Sequence, residues 1–171
     1  MKLKRMLVVR CSEDFIDEQI TFLHNFLELL GFELFFVDGL LELNFKECKY
    51  MFDYLYLTGH SNEDSFGEIN ANFSWELVAE TIENSLCISD SCKLIIKSCK
   101  SVDENIAKIM FTKTSKIQQV LGSVTDTENF SSYVGSMLFF YLTEWNNLNP
   151  SEAVSISNNA LNINFKSFSR T

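Results

Sequence analysis

The sequence predicts an α/β protein whose central sheet is mostly parallel, with about five to six strands and helices on both sides. Three observations predict this class. Continuous apolar runs, typical of strands that are covered on both faces, recur along the chain. Segments with apolar residues at helical spacing lie between these runs. The 171 residues, of which 46% are hydrophobic, suit a single domain over residues 1–171 with one core.

The first part of the chain predicts three strands and one helix. Residues 5–9 form the first apolar, β-branched run, and Ser12 opens a helical segment that ends at Gly31. The second and third strands are predicted at residues 32–37 and 52–57. A looser segment with Leu40, Leu43 and Phe45 connects them.

A polar stretch follows the third strand. Residues 58–72 contain two of the six glycines, and we expect the longest loop here, with a short extended excursion around residues 68–73.

The second part of the chain predicts two more strands and four helices. Ser74 is placed to cap one helix, and Ser101 with Glu104 forms a capping box for another over residues 102–111. Strands are predicted at residues 93–97 and 117–124.

A long helix is predicted next, and a last helix follows at Pro150, which suits the first helical position. We expect one face of the long helix to carry Phe130, Val134, Met137, Tyr141 and Trp145.

Composition excludes several functional classes. The formal charge of −9 opposes binding to nucleic acid, and no apolar stretch approaches the roughly 20 residues of a membrane span. The chain start does not resemble a secretory signal, so we expect a cytoplasmic protein. The five cysteines lack the paired spacing of zinc sites, and no glycine-rich phosphate loop follows a strand. We therefore expect free thiols, no metal and no cofactor.

Two residues follow predicted strands and carry reactive groups. His60 comes just after the third strand, beyond Gly59, and Cys99 comes just after the fourth. The residues between them can hold a crossover that makes the two strands parallel neighbours. Thiol and imidazole then meet at one edge of the sheet, where such a pair can act as an activated nucleophile. His24, inside the first helix, is interpreted as a packed or boundary side chain.

The segments DYLYLTGHS and KLIIKSCKS resemble the two motif strands of the caspase-like cysteine peptidases, one ending in Gly-His and the other in a small residue and the catalytic cysteine. The later segment VLGSVTDTENFSSYVGSMLFFYLTEWNNLNPSEAV is similar to the region after the cysteine in the CHAT branch of that clan. This resemblance implies a caspase-like three-layer sandwich.

The resemblance also implies roles for individual residues. Cys99 matches the nucleophile, and His60 matches the general base that later protonates the leaving amine. The backbone N–H groups of Cys99 and Ser61 match the donors of the oxyanion hole. The family commonly has glycine after the histidine, and this chain has Ser61 there instead.

The sequence allows two interpretations of substrate preference. In related peptidases the residue two before the nucleophile lines the pocket for the side chain that precedes the cut, and Lys97 holds that place, which favours an acidic or neutral residue. Lys97 can equally point away from the pocket. Glu63 and Asp64, after the histidine, favour a basic residue instead.

The resemblance implies a cysteine endopeptidase that acts on a polypeptide substrate without metal or cofactor. Control is expected from an activating protein, a small signalling molecule or self-association into a homo-oligomer, as in a bacterial effector of anti-phage immunity. One alternative is a catalytically inactive caspase-like sensor or adaptor. Another is an unrelated doubly wound domain in which the two residues are incidental.

Overall fold

The computed structural model describes residues 3–12, 17–44, 47–68 and 71–170 of the chain. The strands in this part of the chain are β1 (Lys4–Arg10), β2 (Phe32–Asp38), β3 (Phe52–Thr58), β4 (His60–Ser61), β5 (Ser65–Glu68), β6 (Ala71–Ser74), β7 (Ile88–Lys97), β8 (Ile117–Ser123) and β9 (Phe165–Ser169). Six of them form the central sheet in the order β2-β1-β3-β7-β8-β9. All neighbouring pairs in it are parallel except the last, in which β9 runs antiparallel to β8. The expected mostly parallel sheet of an α/β protein is confirmed.

Five α-helices in the same described ranges cover the sheet: α1 (Asp17–Leu29), α2 (Trp75–Asn84), α3 (Glu104–Lys113), α4 (Asn129–Phe140) and α5 (Pro150–Leu161). Apolar residues of α2, α3 and a 3₁₀ turn at Leu40–Leu43 share one core cluster with the sheet. Those of α1, α4 and α5 share a second cluster. The molecule therefore has three layers, with the sheet in the middle.

Alternation along β1 shows why its sequence is apolar without interruption. Leu7 and Val9 belong to the cluster under α2 and α3, whereas Met6 and Val8 belong to the cluster under α1, α4 and α5. Successive side chains of a strand point to opposite faces. Since both faces are covered, both sets of side chains are removed from water.

Residues 58–72, expected to be a loop with a short extended excursion around residues 68–73, contain most of a small antiparallel sheet, β4-β5-β6. The excursion coincides with β6, whereas β4 and β5 were not predicted. Phe66 is fully buried there and its ring packs 5.8 Å from that of Trp75. These strands are short and have few apolar side chains, so their pattern resembles that of a loop. The helix after them begins as predicted, with the Ser74 side chain accepting a hydrogen bond from Leu77 N at 3.2 Å.

The predicted capping box of α3 is wrong. Asp103 is the N-cap, and its carboxylate accepts from Ile106 N at 2.8 Å. The Ser101 hydroxyl is buried and instead donates to Ile96 O at 3.0 Å while it accepts from Ser123 N, also at 3.0 Å. The Ser101 side chain, which the local sequence predicts to cap the helix, makes a tertiary contact instead.

The face expected for the long helix is only partly buried. Met137 belongs to the cluster of α1, α4 and α5 and Val134 packs against it, but other members of this face are exposed. Phe130 is 67% exposed and Trp145 is 58% exposed, and the described ring contacts of α4 come from Tyr133, Phe139 and Phe140 instead. A π-helical turn at Tyr141–Trp145 follows α4. Its wider turn rotates the later side chains relative to a regular helix, which defeats a count based on 3.6 residues per turn.

Other predicted boundaries fall as follows. The helix start expected at Ser12 runs over residues 13–16, which lie outside the described ranges, as does Phe45. The last helix begins at Pro150 as predicted, capped by the Asn149 side chain, which accepts from Glu152 N at 2.9 Å. The sequence did not predict β9, in which three of the five side chains are polar and do not alternate with the apolar ones. No helix within the described ranges combines the length and apolar character of a membrane span.

Candidate functional site

The candidate site lies at the carboxyl edge of β3 and β7, which are parallel neighbours. Thr58 and Lys97 are paired in register at the ends of these strands. His60 and Cys99 each stand two residues beyond this pair, so equivalent positions of two adjacent strands carry the imidazole and the thiol. In open α/β sheets this edge is where ligands bind.

His60 is exposed and begins β4. Its Nε2 atom lies 3.3 Å from Ser12 Oγ. Ser12 follows β1, the neighbour of β3 on the other side, and the preceding Cys11 N–H donates to Thr58 O at 2.7 Å. We expected Ser12 to begin a helix. Its contact with His60, 48 positions away, is not visible in any local sequence pattern.

Gly59 allows the close approach of these segments. A Cβ atom at this position would lie 3.0 Å from the Gly67 carbonyl oxygen and 3.1 Å from Cys11 Cβ. Those distances are too short for a comfortable side chain. Glycine therefore lets the chain turn directly from β3 into the small sheet.

Ser61 connects the histidine segment to the cysteine segment. Its hydroxyl donates to Ser98 Oγ at 2.7 Å and also contacts the carbonyl oxygen of Cys99. The next residue, Asn62, donates its N–H to Ser65 O, across the β4–β5 hairpin. Because N–H groups alternate in direction along an antiparallel strand, the Ser61 N–H points away from β5.

Cys99 is half-buried. Its thiol donates a hydrogen bond to Thr127 O at 3.6 Å, in the connection from β8 to α4. Lys100 has a positive φ of 45° and its N–H donates to Thr125 O at 3.2 Å. The Lys100 ammonium lies 3.9 Å from a Glu63 carboxylate oxygen and 3.8 Å from one of Asp126. The cysteine turn is thus held from the β8 side and from the hairpin side.

The predicted pocket residues occupy two different places. Lys97 is 7% exposed, and it has the same parity along β7 as Ile95, which packs in the cluster of α1, α4 and α5. Glu63 and Asp64 are exposed in the turn between β4 and β5, where the Asn62 side chain accepts from Asp64 N at 2.8 Å. Glu63 faces Lys100, the residue after Cys99, and Asp64 follows Glu63 in the exposed turn, whereas Lys97 is buried.

The remaining cysteines and His24 are in other environments. Cys87 and Cys92 are buried. Burial, with a smaller contribution from the hydrogen-bonded Cys48 thiol, raises the pKa of Cys87 to about 12, and burial also raises the pKa of Cys92. Thiols with raised pKa values are poor nucleophiles at neutral pH. His24 lies on α1, 4.0 Å from Glu28. Across the part of the chain that the structure describes, no group of three histidine, cysteine or acidic residues could hold a metal ion.

No protein-family model matches the chain, and no curated protein matches it. Among solved structures, the chain is similar to one described as a trimeric coiled-coil segment of yeast Spc42 fused to another structure. Sequence identity is 14%, 94% of each chain is covered and the TM-score is 0.41. A likeness at this level carries no argument about fold family or function.

Proposed function

We propose that this protein is a cysteine endopeptidase of the caspase-like fold, CHAT-type, with His60 and Cys99 as its catalytic dyad and a polypeptide as its substrate. One observation carries the proposal. The two reactive groups follow adjacent parallel strands at equivalent positions, and the Ser61 hydroxyl joins their turns by contacting the Cys99 carbonyl. The resemblance of the two motif segments supports the same assignment.

In the first half of the proposed reaction, His60 takes the proton of the Cys99 thiol. The sulfur attacks the carbonyl carbon of the scissile peptide bond, and the carbonyl electron pair moves onto oxygen. When the tetrahedral intermediate collapses, the C–N bond breaks, and the imidazolium gives its proton to the departing amine. A thioester between the substrate acyl group and Cys99 remains.

In the second half, His60 removes a proton from a water molecule that attacks the thioester carbon. The C–S bond then breaks, the product leaves as a carboxylic acid, and the thiol regains its proton from the imidazolium. The net change is hydrolysis of one peptide bond, without a redox step.

The negative oxygen of each intermediate requires donors that are already in place. We assign the backbone N–H groups of Ser61 and Cys99 to this role. The outward direction of the Ser61 N–H, away from β5, supports its part of the assignment. The serine side chain, where the family commonly has glycine, contacts the cysteine turn through its hydroxyl.

Of the two interpretations of substrate preference, the exposed carboxylates of Glu63 and Asp64 favour the one with a basic residue before the cut. The position of Lys97 inside a covered layer supports the alternative in which this side chain points away from substrate. Peptides that differ in this residue alone, with Asp, Glu, Arg or Lys, measure the preference. Faster cleavage of the peptides with Asp or Glu at this position would support Lys97 as a pocket residue instead.

Control of such an enzyme is part of the proposal. The described hydrogen bond of the Cys99 thiol runs to Thr127 O, in the β8–α4 connection, which lies on the side of β7 away from β3. An activating protein, a small signalling molecule or self-association could release the thiol toward substrate by moving that connection. A bacterial effector in anti-phage immunity is the setting that the resemblance suggests.

The first prediction concerns the dyad. With a peptide library and a peptide-based thiol reagent, we expect selective labelling of Cys99 and cleavage that Cys99→Ala reduces by about 10³-fold or more. We expect a loss of about 10²- to 10⁴-fold in His60→Ala, because the general base is removed. Cys48→Ala and His24→Ala are matched controls, since each changes a half-buried residue of the same type away from the site. Full cleavage by Cys99→Ala would contradict the proposal.

A catalytically inactive sensor or adaptor of the same fold is the second candidate. The thiol–carbonyl hydrogen bond at Thr127 and the serine after His60 favour it. In this case Cys99 stays unlabelled by the peptide reagent with every activating partner, while small alkylating reagents still reach it. Partner binding would then survive in Cys99→Ala unchanged.

A further inference from the structure

We infer that Ser12 is a positioning residue for His60. By accepting a hydrogen bond from Nε2–H, Ser12 favours the imidazole tautomer in which Nδ1 can accept the thiol proton. The catalytic role of Ser12 rests on the proposed function. The structural observation behind it is the contact between Ser12 Oγ and His60 Nε2, at 3.3 Å.

The contact is set by the backbone. The Cys11 N–H donates to Thr58 O at 2.7 Å, so the chain that leaves β1 is attached to the end of β3 one residue before Ser12. On the other strand, a Cβ at Gly59, one residue before His60, would lie 3.1 Å from Cys11 Cβ, so the glycine lets these two segments run close together. Both side chains therefore start from fixed points, and neither has a long flexible stem.

The chemical consequence follows from the two ring nitrogens. A neutral imidazole carries one N–H, and the other nitrogen has the lone pair that can accept a proton. A serine hydroxyl can donate to a ring nitrogen or accept from its N–H, and we assign Ser12 the accepting role. With Nε2–H donating to Ser12 Oγ, Nδ1 has the lone pair and becomes the base for the Cys99 thiol. After proton transfer both nitrogens carry hydrogen, and Ser12 still accepts the bond from Nε2.

Ser12 forms no bond with substrate in this scheme and exchanges no proton with it. Ser12 acts on the ring orientation and the tautomer of His60, because the hydrogen bond made by one ring nitrogen influences which nitrogen carries the proton. The rim acids Glu63 and Asp126 pair with Lys100, at 3.9 and 3.8 Å.

The test compares the full-length protein with its Ser12→Ala and Ser12→Thr variants. ¹⁵N NMR of the histidine side chains reads the tautomer directly, and His60→Gln assigns the signals. We expect His60 to be mainly the Nε2–H tautomer in the wild type and in Ser12→Thr, and a mixture of tautomers in Ser12→Ala. The His24 signals are an internal control and should not change.

Peptide cleavage gives the second readout. We expect Ser12→Ala to lower kcat by about 10-fold with little change in KM, the size of effect typical of one hydrogen bond, and Ser12→Thr to restore most of it. The pH profile of kcat should shift in Ser12→Ala and not in Ser12→Thr. Thermal unfolding of each variant separates these effects from a loss of folding.

The outcomes distinguish the two proposals. Unchanged His60 tautomers in Ser12→Ala would overturn the role of Ser12, whatever the activity. If the wild type and all variants lack peptidase activity while the tautomer responds to Ser12, the proposed function fails and the Ser12–His60 contact stands. If the tautomer responds and kcat does not, Ser12 does not position the base for catalysis.

Discussion

At the residue scale, Ser101 links the candidate site to the core. It lies two residues after Cys99 and is fully buried, with its hydroxyl between Ile96 O and Ser123 N. A Cβ at Gly122 would come within 2.5 Å of that hydroxyl, so the small glycine is required for this arrangement. One side chain thus joins the carboxyl ends of β7 and β8 beside the cysteine turn.

We predict that Ser101→Ala lowers the free energy of unfolding by about 1–3 kcal/mol, because the buried Ser123 N–H loses its acceptor. Urea unfolding measures the change. Ser131→Ala, in an exposed contact of α4, is the matched control and should stay within about 0.5 kcal/mol of the wild type. Equal effects of the two substitutions would show that the Ser101 contacts contribute nothing specific.

At the element scale, α3 shows how a start signal in the sequence can be displaced. The capping box that Ser101 and Glu104 suggest is not used, because Ser101 is occupied between two strands. Asp103 takes the capping position two residues later. The same reasoning explains the small sheet β4-β5-β6, in which Phe66 and Trp75 form the buried part of an otherwise polar segment.

We expect Asp103→Ala to destabilise the protein by about 1 kcal/mol, since the Ile106 N–H loses the carboxylate that caps it at 2.8 Å. Glu104→Ala, one position along in the exposed first turn, should cost much less. Denaturant unfolding of both variants compares the two positions. A larger loss in Glu104→Ala would support the capping box instead of the observed cap.

At the scale of the whole molecule, Glu144 ties the helical layer of α1, α4 and α5 to the sheet. Its carboxylate lies 2.8 Å from the ammonium of Lys4, in β1, and 2.8 Å from that of Lys93, in β7. Burial alone would raise the pKa of Glu144, but the hydrogen bonds from the two lysines outweigh it and hold the pKa below its ordinary value. Two strands and the π-helical turn meet at this carboxylate.

The lowered pKa sets the direction of a pH effect. The charged form is favoured in the folded state, so the stabilisation is complete above the ordinary pKa of about 4.5 and disappears as the pH falls through the lower, folded value. We predict that Glu144→Gln costs about 1–3 kcal/mol at pH 7, less than a fully buried pair because both lysines reach solvent. Unfolding curves at pH 7 and at pH 3 should show this difference shrinking in acid. A difference that stayed constant would indicate a contribution from packing instead of charge.

Much of the fold was predictable from particular segments. The strands β1, β2, β3 and β8 were recognisable because each has consecutive apolar residues. These are mostly buried in β1, β3 and β8, and mostly half-buried in the edge strand β2. The starts of α2 and α5 were recognisable from Ser74 and from Asn149 with Pro150. The edge strand β9 and the first two strands of the small sheet were not, since short strands of mixed composition give a weak pattern.

The candidate site was predictable to a lesser degree. His60 and Cys99 could be placed at one edge because each follows an apolar strand and the interval between them fits one crossover. The directions of their side chains could not be predicted. Ser12 beside the imidazole and Thr127 beside the thiol both belong to other strand connections, and their contacts exist only once β1, β3, β7 and β8 lie side by side.

The amino-acid sequence by itself determined the layers of this protein, because hydrophobic burial acts on each segment through its own periodicity. It also determined which reactive residues follow which strands. The tertiary structure alone decided the strand order, the partner of each buried hydroxyl and the neighbours of the imidazole and the thiol. Hydrogen bonds are short and directional, so their partners are settled by the final packing of segments far apart in the chain.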